Sequence, residues 1–136
     1  MSDLKVSLRL TGDIPHEDLT LIFLKLPFKL IRRGSKSIIG EVLDKDVLSV
    51  NLAHWDDEND IHIDNQTQLI IERLAHIKPW LASLDKSRIK TEFYIGTIRT
   101  IDQGGFDLPA ELVAAIATAG LSIAVSILVV LDDDPE

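Results

Sequence analysis

The sequence predicts a single α+β domain, residues 1–136, in which a strand–helix–strand unit occurs twice. Three stretches alternate apolar and polar residues with a period of two, which indicates half-buried strands. These stretches are residues 4–11, 47–53 and 121–131. A further strand is expected over 88–99, with Phe93 and Ile95 as its core side chains. Strands and helices of this kind in one short chain indicate the α+β class.

A short repeated pattern supports the two-unit plan. "DIPHE" at 13–17 matches "DLPAE" at 107–111, and each copy precedes a predicted helix. Aspartate can cap the free amide groups, proline fits the first turn, and glutamate complements the helix dipole. Two βαβ units, over 4–55 and 88–131, with right-handed crossovers predict a ferredoxin-like fold with a four-stranded antiparallel sheet.

An extra helix is predicted between the two βαβ units. Residues 65–84 carry one apolar stripe at helical spacing, and Asn65 with Gln68 resembles a capping box. The stripe consists of Ile70, Leu74, Ile77, Leu81 and Leu84. Pro79 is expected to kink or restart this helix. The helix is interpreted as an insertion that packs on the helical face or over a sheet edge, and 132–136 as a frayed tail.

Composition excludes several classes of function. The formal net charge of −8 argues against general nucleic-acid binding and against an anionic membrane surface. It is compatible with a basic protein partner, or with solubility alone. No apolar run has the length of a membrane span, and the first ten residues lack a signal-peptide pattern, so a cytoplasmic protein is expected. The chain has no cysteine and no G-x-S-x-G pattern, and no enzymatic activity is predicted.

The stretch "HWDDENDIHID", at 54–64, holds two histidines and five acids. Its alternating acids with one imidazole are ligands that a divalent cation could use. The spacing fails the EF-hand pattern, because Ile61 stands where the turn needs glycine and Thr67 where a bidentate glutamate is needed. The favoured interpretation is a solvated loop that leads into a helix. The alternative is a partner-binding loop with Trp55, Asp56 and Asp57, and no metal or cofactor is predicted.

A basic run contains five cations and no acid: Lys25, Lys29, Arg32, Arg33 and Lys36. Arg32 and Arg33 before Gly34 could bind a phosphate or carboxylate, because guanidinium groups are bidentate donors and glycine lets backbone amides approach. The alternative is a charged edge that blocks sheet-to-sheet aggregation. The basic run and the acidic stretch could also pair with each other, within one chain or between chains.

The sheet face turned away from the helices is predicted to be flat and polar. It should carry Lys5, Ser7, Arg9, Ser49, Asn51, Ala53, Glu92, Tyr94, Gly96, Ser122, Ala124 and Ser126. RNA-binding sheets of this topology need exposed aromatic residues, and this face offers only Tyr94. Such a face could instead bind a ligand or a second copy, with Tyr94 as a contact.

Three segments resemble a bacterial family known only as a domain of unknown function (number four-two-seven-nine). They are "LKLPFKLIRRGS", "NLAHW" and "GGFDLPAELVAAIATAGLSI". The similarity spans most of the chain, but its motifs are structural, and it implies no activity and no catalytic residue. Small acidic domains of this type have been suspected of being toxin-immunity proteins, so the resemblance implies an immunity-type partner.

The predicted function is therefore protein–protein contact, through self-association or as an immunity-type partner of a basic toxin. The alternative is a small-ligand or anion-sensing regulatory domain with the anion near Arg32 and Arg33. The conformation of residues 28–39 separates the two. A concave pocket lined by Lys29, Arg32 or Arg33 favours the sensor, and an exposed edge favours protein contact.

Overall fold

The fold is a mixed β-sheet with helices on one face. The structure, a computed structural model, describes residues 3–23, 26–36, 39–56, 66–99 and 108–129. Its elements are β1 (Asp3–Gly12), α1 (Leu19–Phe23), β2 (Phe28–Ile31), β3 (Asp46–Asp56), α2 (Thr67–Ala82), β4 (Ile89–Arg99), α3 (Ala110–Thr118) and β5 (Ser122–Val129). The five strands lie in the order β2-β3-β1-β4-β5. All neighbouring pairs are antiparallel except β4 and β5, which are parallel.

The predicted four-stranded antiparallel sheet is therefore wrong. The sheet has a fifth strand, β2, which lies inside the basic run and pairs with β3. Four residues are too few for a period-two pattern to stand out from the surrounding cations. The last strand, β5, is parallel to its neighbour because α3 carries the chain back across the helical face between them.

The helix α2 is a crossover and not an insertion. β3 and β4 are both antiparallel to β1, which lies between them, so they are parallel to each other. α2 connects these two strands and forms a βαβ unit that is split by β1. The first predicted unit, over 4–55, fails because β2 reverses the chain, so β3 returns antiparallel beside β1.

The helix starts differ from those that the repeated pattern predicts. α1 begins only at Leu19, where the Asp18 carboxylate accepts hydrogen bonds from the Thr20 N–H, at 3.1 Å, and from the Thr20 hydroxyl. α3 begins at Ala110 without a side-chain cap, and Asp107 lies outside the described residues. α2 likewise has no side-chain cap on its first turn, and Asn65 also lies outside the described part of the chain.

The core confirms the apolar stripe of α2. The members of the stripe are buried, and the helix continues past Pro79 to Ala82. They pack against one face of the sheet, which the alternating leucine and valine side chains of β1 supply. Phe23 joins α1 to this core, because its ring lies 5.3 Å from the rings of both Phe28 and Trp80.

A β-bulge changes the face of the residues at the end of β3. The register between β1 and β3 shifts between Val6 and Ser7, and Leu52 and Ala53 are both buried. Ala53 therefore lies opposite Val6 on the helical face, and its predicted place on the polar face is wrong. The Arg73 guanidinium, on α2, donates a hydrogen bond to the Leu52 carbonyl at this bulge.

Candidate functional site

Arg32 and Asp46 form a hydrogen-bonded hub at the end of β2. Arg32 Nη1 donates to Asp46 Oδ2 at 2.9 Å and to the Ile14 carbonyl at 2.6 Å, and its Nη2 donates to the Pro15 carbonyl at 3.2 Å. Asp46 is 5% exposed and also accepts from the N–H groups of Ile14, at 3.1 Å, and Arg33, at 2.8 Å. The hub ties the segment before α1 to the start of β3.

The hub keeps Asp46 ionised. Burial by itself raises the pKa of Asp46, but hydrogen bonds from the Arg33 N–H, the Arg32 guanidinium and the Ile14 N–H outweigh it. The pKa of this carboxyl therefore lies below its ordinary value. Buried carboxylates of this kind are stabilised only while their donors stay in place.

This geometry does not make residues 28–36 an anion pocket. The guanidinium of Arg32 already donates three hydrogen bonds to acceptors within the protein. Arg33 is exposed and lies 3.8 Å from Asp13, and Lys29 is exposed on the edge strand β2. The segment has the form of an edge, which is the arrangement expected for protein contact and not for a sensor.

Tyr94 lies on the sheet face opposite the helices, which we call the polar face and which also carries Ser7, Arg9 and Glu92. Arg9 stacks on the Tyr94 ring with its Cζ 4.0 Å from the ring centroid, and its Nε lies 3.5 Å from Glu92 Oε1. Lys90 contacts the other Glu92 oxygen at 3.5 Å. Tyr94 is therefore already packed against a cation.

The predicted binding residues do not converge on one site. Lys29 lies on the edge strand β2, which is three strands away from β4 and Tyr94.

Two shallow hollows lie on opposite sides of the sheet. One, of about 310 Å³, lies beside Tyr94 between Lys5, Gly96 and Ser126. The other, of about 290 Å³, lies between α2 and α3 and is lined mainly by alanine and aliphatic side chains. Neither combines an apolar enclosure with several converging polar groups from the described residues, as small-molecule sites do.

The structure describes only the beginning of the acidic stretch. The backbones of Trp55 and Asp56 belong to β3 and pair with Leu4 and Asp3. Their side chains, Asp57 and the rest of 57–65 lie outside the described residues. Among the residues that are described, no group of three or more histidine, aspartate or glutamate side chains could hold a metal ion. No described helix is long and apolar enough to cross a membrane.

The two edges of the sheet differ sharply. β2 has four residues, includes Lys29 and runs into Arg32 and Arg33. β5 has eight residues, "SIAVSILV", without a charge or a proline. Short length and lysine protect an edge against pairing with another chain, and β5 has neither.

Apolar side chains of β5 are exposed on the helical face. Ile123, Val125 and Ile127 share this face with Phe93 and Ile95, and their exposure rises along the strand from 40% to 49% and 60%. The alternation of β5 thus has the predicted phase, but the described helices cover these side chains only in part. The nine residues of α3 make a helix of about 14 Å, whereas eight strand residues span about 26 Å.

Sequence reasoning missed Asp46, the centre of the hub. A signal was present, because the basic run contains no acid of its own and Asp46 stands immediately before the alternation of β3. Pairing of the basic run with the acidic stretch at 54–64 stays a prediction, because residues 57–65 lie outside the described residues. Within the described residues, Arg32 finds its carboxylate in Asp46.

Comparison with known proteins adds no information about the function of these residues. No protein-family model, no curated protein and no solved structure matches the chain significantly. The resemblance to the domain of unknown function named above therefore stays a prediction that rests on its three quoted segments.

Proposed function

We propose that the protein acts through protein–protein contact and that its β5 edge is the contact surface. The observation that supports this is an eight-residue edge strand with no charge and no proline, which carries exposed Ile123, Val125 and Ile127. A strand of a partner would pair with the outward amide and carbonyl groups of β5, which is the strand-addition mode of recognition.

The contrast between the two edges supports the proposal. Exposed, flat and apolar edge strands promote aggregation, and natural proteins block them with lysine, proline or short strands. This chain uses such features at β2 and not at β5. Within the described residues, an edge of this length without such protection is understandable if pairing at β5 is the function of the protein.

The anion-sensing alternative has less support. It requires Arg32 to offer its guanidinium to a ligand, and that group is held by Asp46 and by the carbonyls of Ile14 and Pro15. A ligand would have to displace Asp46 from a partly buried ion pair to reach this guanidinium, which costs free energy.

Site-specific photo-crosslinking in the cells that produce the protein tests the proposal. A benzophenone amino acid at position 127 should give a discrete adduct whose second chain mass spectrometry identifies. The same amino acid at position 29, on the protected edge strand β2, is the matched control and should give little cross-linked adduct. Equal yields from both positions, or no adduct from position 127, would contradict contact through β5.

A further inference from the structure

We infer that the partner strand at β5 is β5 of a second copy of this chain, paired antiparallel about a twofold axis through Val125. This inference rests on the proposed function and specifies its partner. The dimer would have one continuous ten-stranded sheet, with the two β5 strands at its centre and the two protected β2 edges at its ends.

The register follows from the side-chain pattern of β5. A twofold axis perpendicular to the sheet keeps the helical faces of both copies on the same side, so opposed residues must have the same parity. With Val125 on the axis, it lies opposite its own twin, and Ile123 lies opposite Ile127 of the partner. All three pairs on the helical face are then pairs of β-branched apolar residues, which pack well across strands.

The opposite face of the same strand fits this register as well. Ala124 would lie opposite Ser126 of the partner, and Ser122 opposite Leu128 of the partner. None of these side chains is charged, so the polar face has no buried charge at the junction, and Leu128, which is 56% exposed in one copy, would contact the partner. The strand is thus compatible with its own copy on both faces, and its exposed apolar side chains would contact those of the partner in this arrangement.

Net charge and size determine how strong the dimer is. Each copy carries a formal charge of −8, so the two copies repel at long range, and salt weakens this repulsion. A pair of eight-residue strands buries less than the roughly 1,200 Å² of a standard interface. We therefore expect a dissociation constant in the micromolar range that decreases as NaCl is raised.

Salt dependence separates this dimer from a charge-driven one. Association between the acidic stretch of one chain and the basic run of another would weaken as salt is added, because the attraction itself is screened. Sedimentation equilibrium of the full chain at about 0.05 and 0.5 M NaCl distinguishes the two cases. Weaker association at high salt would overturn the β5 pairing.

Disulfide trapping tests the register directly, because the chain has no cysteine. In Val125→Cys the two thiols would face each other across the axis, and mild oxidation should convert most of the protein to a covalent dimer. Ile123→Cys is the matched control on the same face. Its two thiols would lie about 13 Å apart, four strand residues out of register, which is too far for a disulfide. Equal trapping of both variants would overturn the register.

Charge substitution tests the interface without cross-linking. Val125→Lys should raise the dissociation constant by at least about tenfold, since a lysine pair would meet on the axis. Leu69→Lys, which makes the same kind of change at a 38% exposed position on α2, should leave it within about twofold. Equal increases in the dissociation constant for the two variants would overturn the inference.

The experiments distinguish failure of the inference from failure of the proposed function. If purified protein is monomeric at several hundred micromolar while position 127 cross-links to a different protein, the second copy is wrong and contact through β5 stands. If the protein is monomeric and position 127 gives no adduct, both are wrong.

Discussion

Replacing Asp46 with asparagine should lower the free energy of unfolding by about 2–3 kcal/mol at neutral pH. Asparagine has one acceptor oxygen for the three donors that Asp46 serves, and it leaves the partly buried Arg32 without its counter-charge. Urea denaturation followed by circular dichroism measures the loss. Asp85→Asn is a suitable control, because Asp85 is exposed, accepts hydrogen bonds from Ser87 and lies 3.8 Å from Arg88, which is also exposed, so its loss should be clearly smaller.

The effect of Asp46→Asn should depend on pH in a defined direction. The pKa of Asp46 is lowered in the folded protein, so its contribution to stability is present above the unfolded pKa of about 3.9. It is lost as the pH falls below that value towards the lower folded pKa. The stability difference between the natural chain and the variant should therefore shrink below about pH 4. A difference that stays constant down to pH 3 would contradict the role given to the carboxylate.

Replacing Gly12 with alanine should lower the free energy of unfolding by about 3 kcal/mol or more. Gly12 has φ +141°, and a Cβ atom there would overlap the Arg88 carbonyl oxygen and lie 3.0 Å from the Cα of Ile89. Those are backbone atoms at the start of β4, which pairs with β1 at this point, so neither side can move without breaking the sheet.

Gly34→Ala is the matched control for this steric argument. Gly34 also has a positive φ, of +90°, but nothing lies within 4 Å of the position of its added Cβ. The substitution should cost only the conformational penalty, about 1 kcal/mol. Thermal unfolding of both variants gives the comparison, and equal losses would show that the contact at Arg88 is unimportant.

Local patterns in the sequence predicted the strands and helices better than their arrangement. The alternation at Leu4, Val6, Leu8 and Leu10 marks a strand with one buried face, and the stripe of α2 marks a helix, because both depend on residues close in sequence. Whether a strand lies parallel or antiparallel to its neighbour depends on pairing partners far along the chain. β2 decides the direction of β3, and its four residues carry almost no periodic signal.

Two features, the face on which Ala53 lies and the exposure of Ile127, show why the details of the candidate site could not be predicted from the sequence. The bulge at Leu52 moves Ala53 to the helical face, and nothing in the alternation of Val50, Leu52 and their neighbours indicates an extra residue. The exposure of Ile127 depends on how far α3 extends over β5, which is a matter of packing lengths and not of pattern. The apolar alternation that normally indicates burial here produces an exposed edge.

The central position of β1 has a consequence for how the protein is made. β1 is synthesised before the other described strands, yet its two neighbours in the sheet are β3 and β4, and its Asp3 pairs with Ile98. One of its edges therefore remains open until β3 has been translated, at residue 56, and the other until β4 has been translated, at residue 99. Sheets built from such distant pairs fold slowly and expose apolar strands meanwhile. We expect nascent chains that end before residue 99 to lack a stable sheet and to depend on chaperones until β4 has emerged.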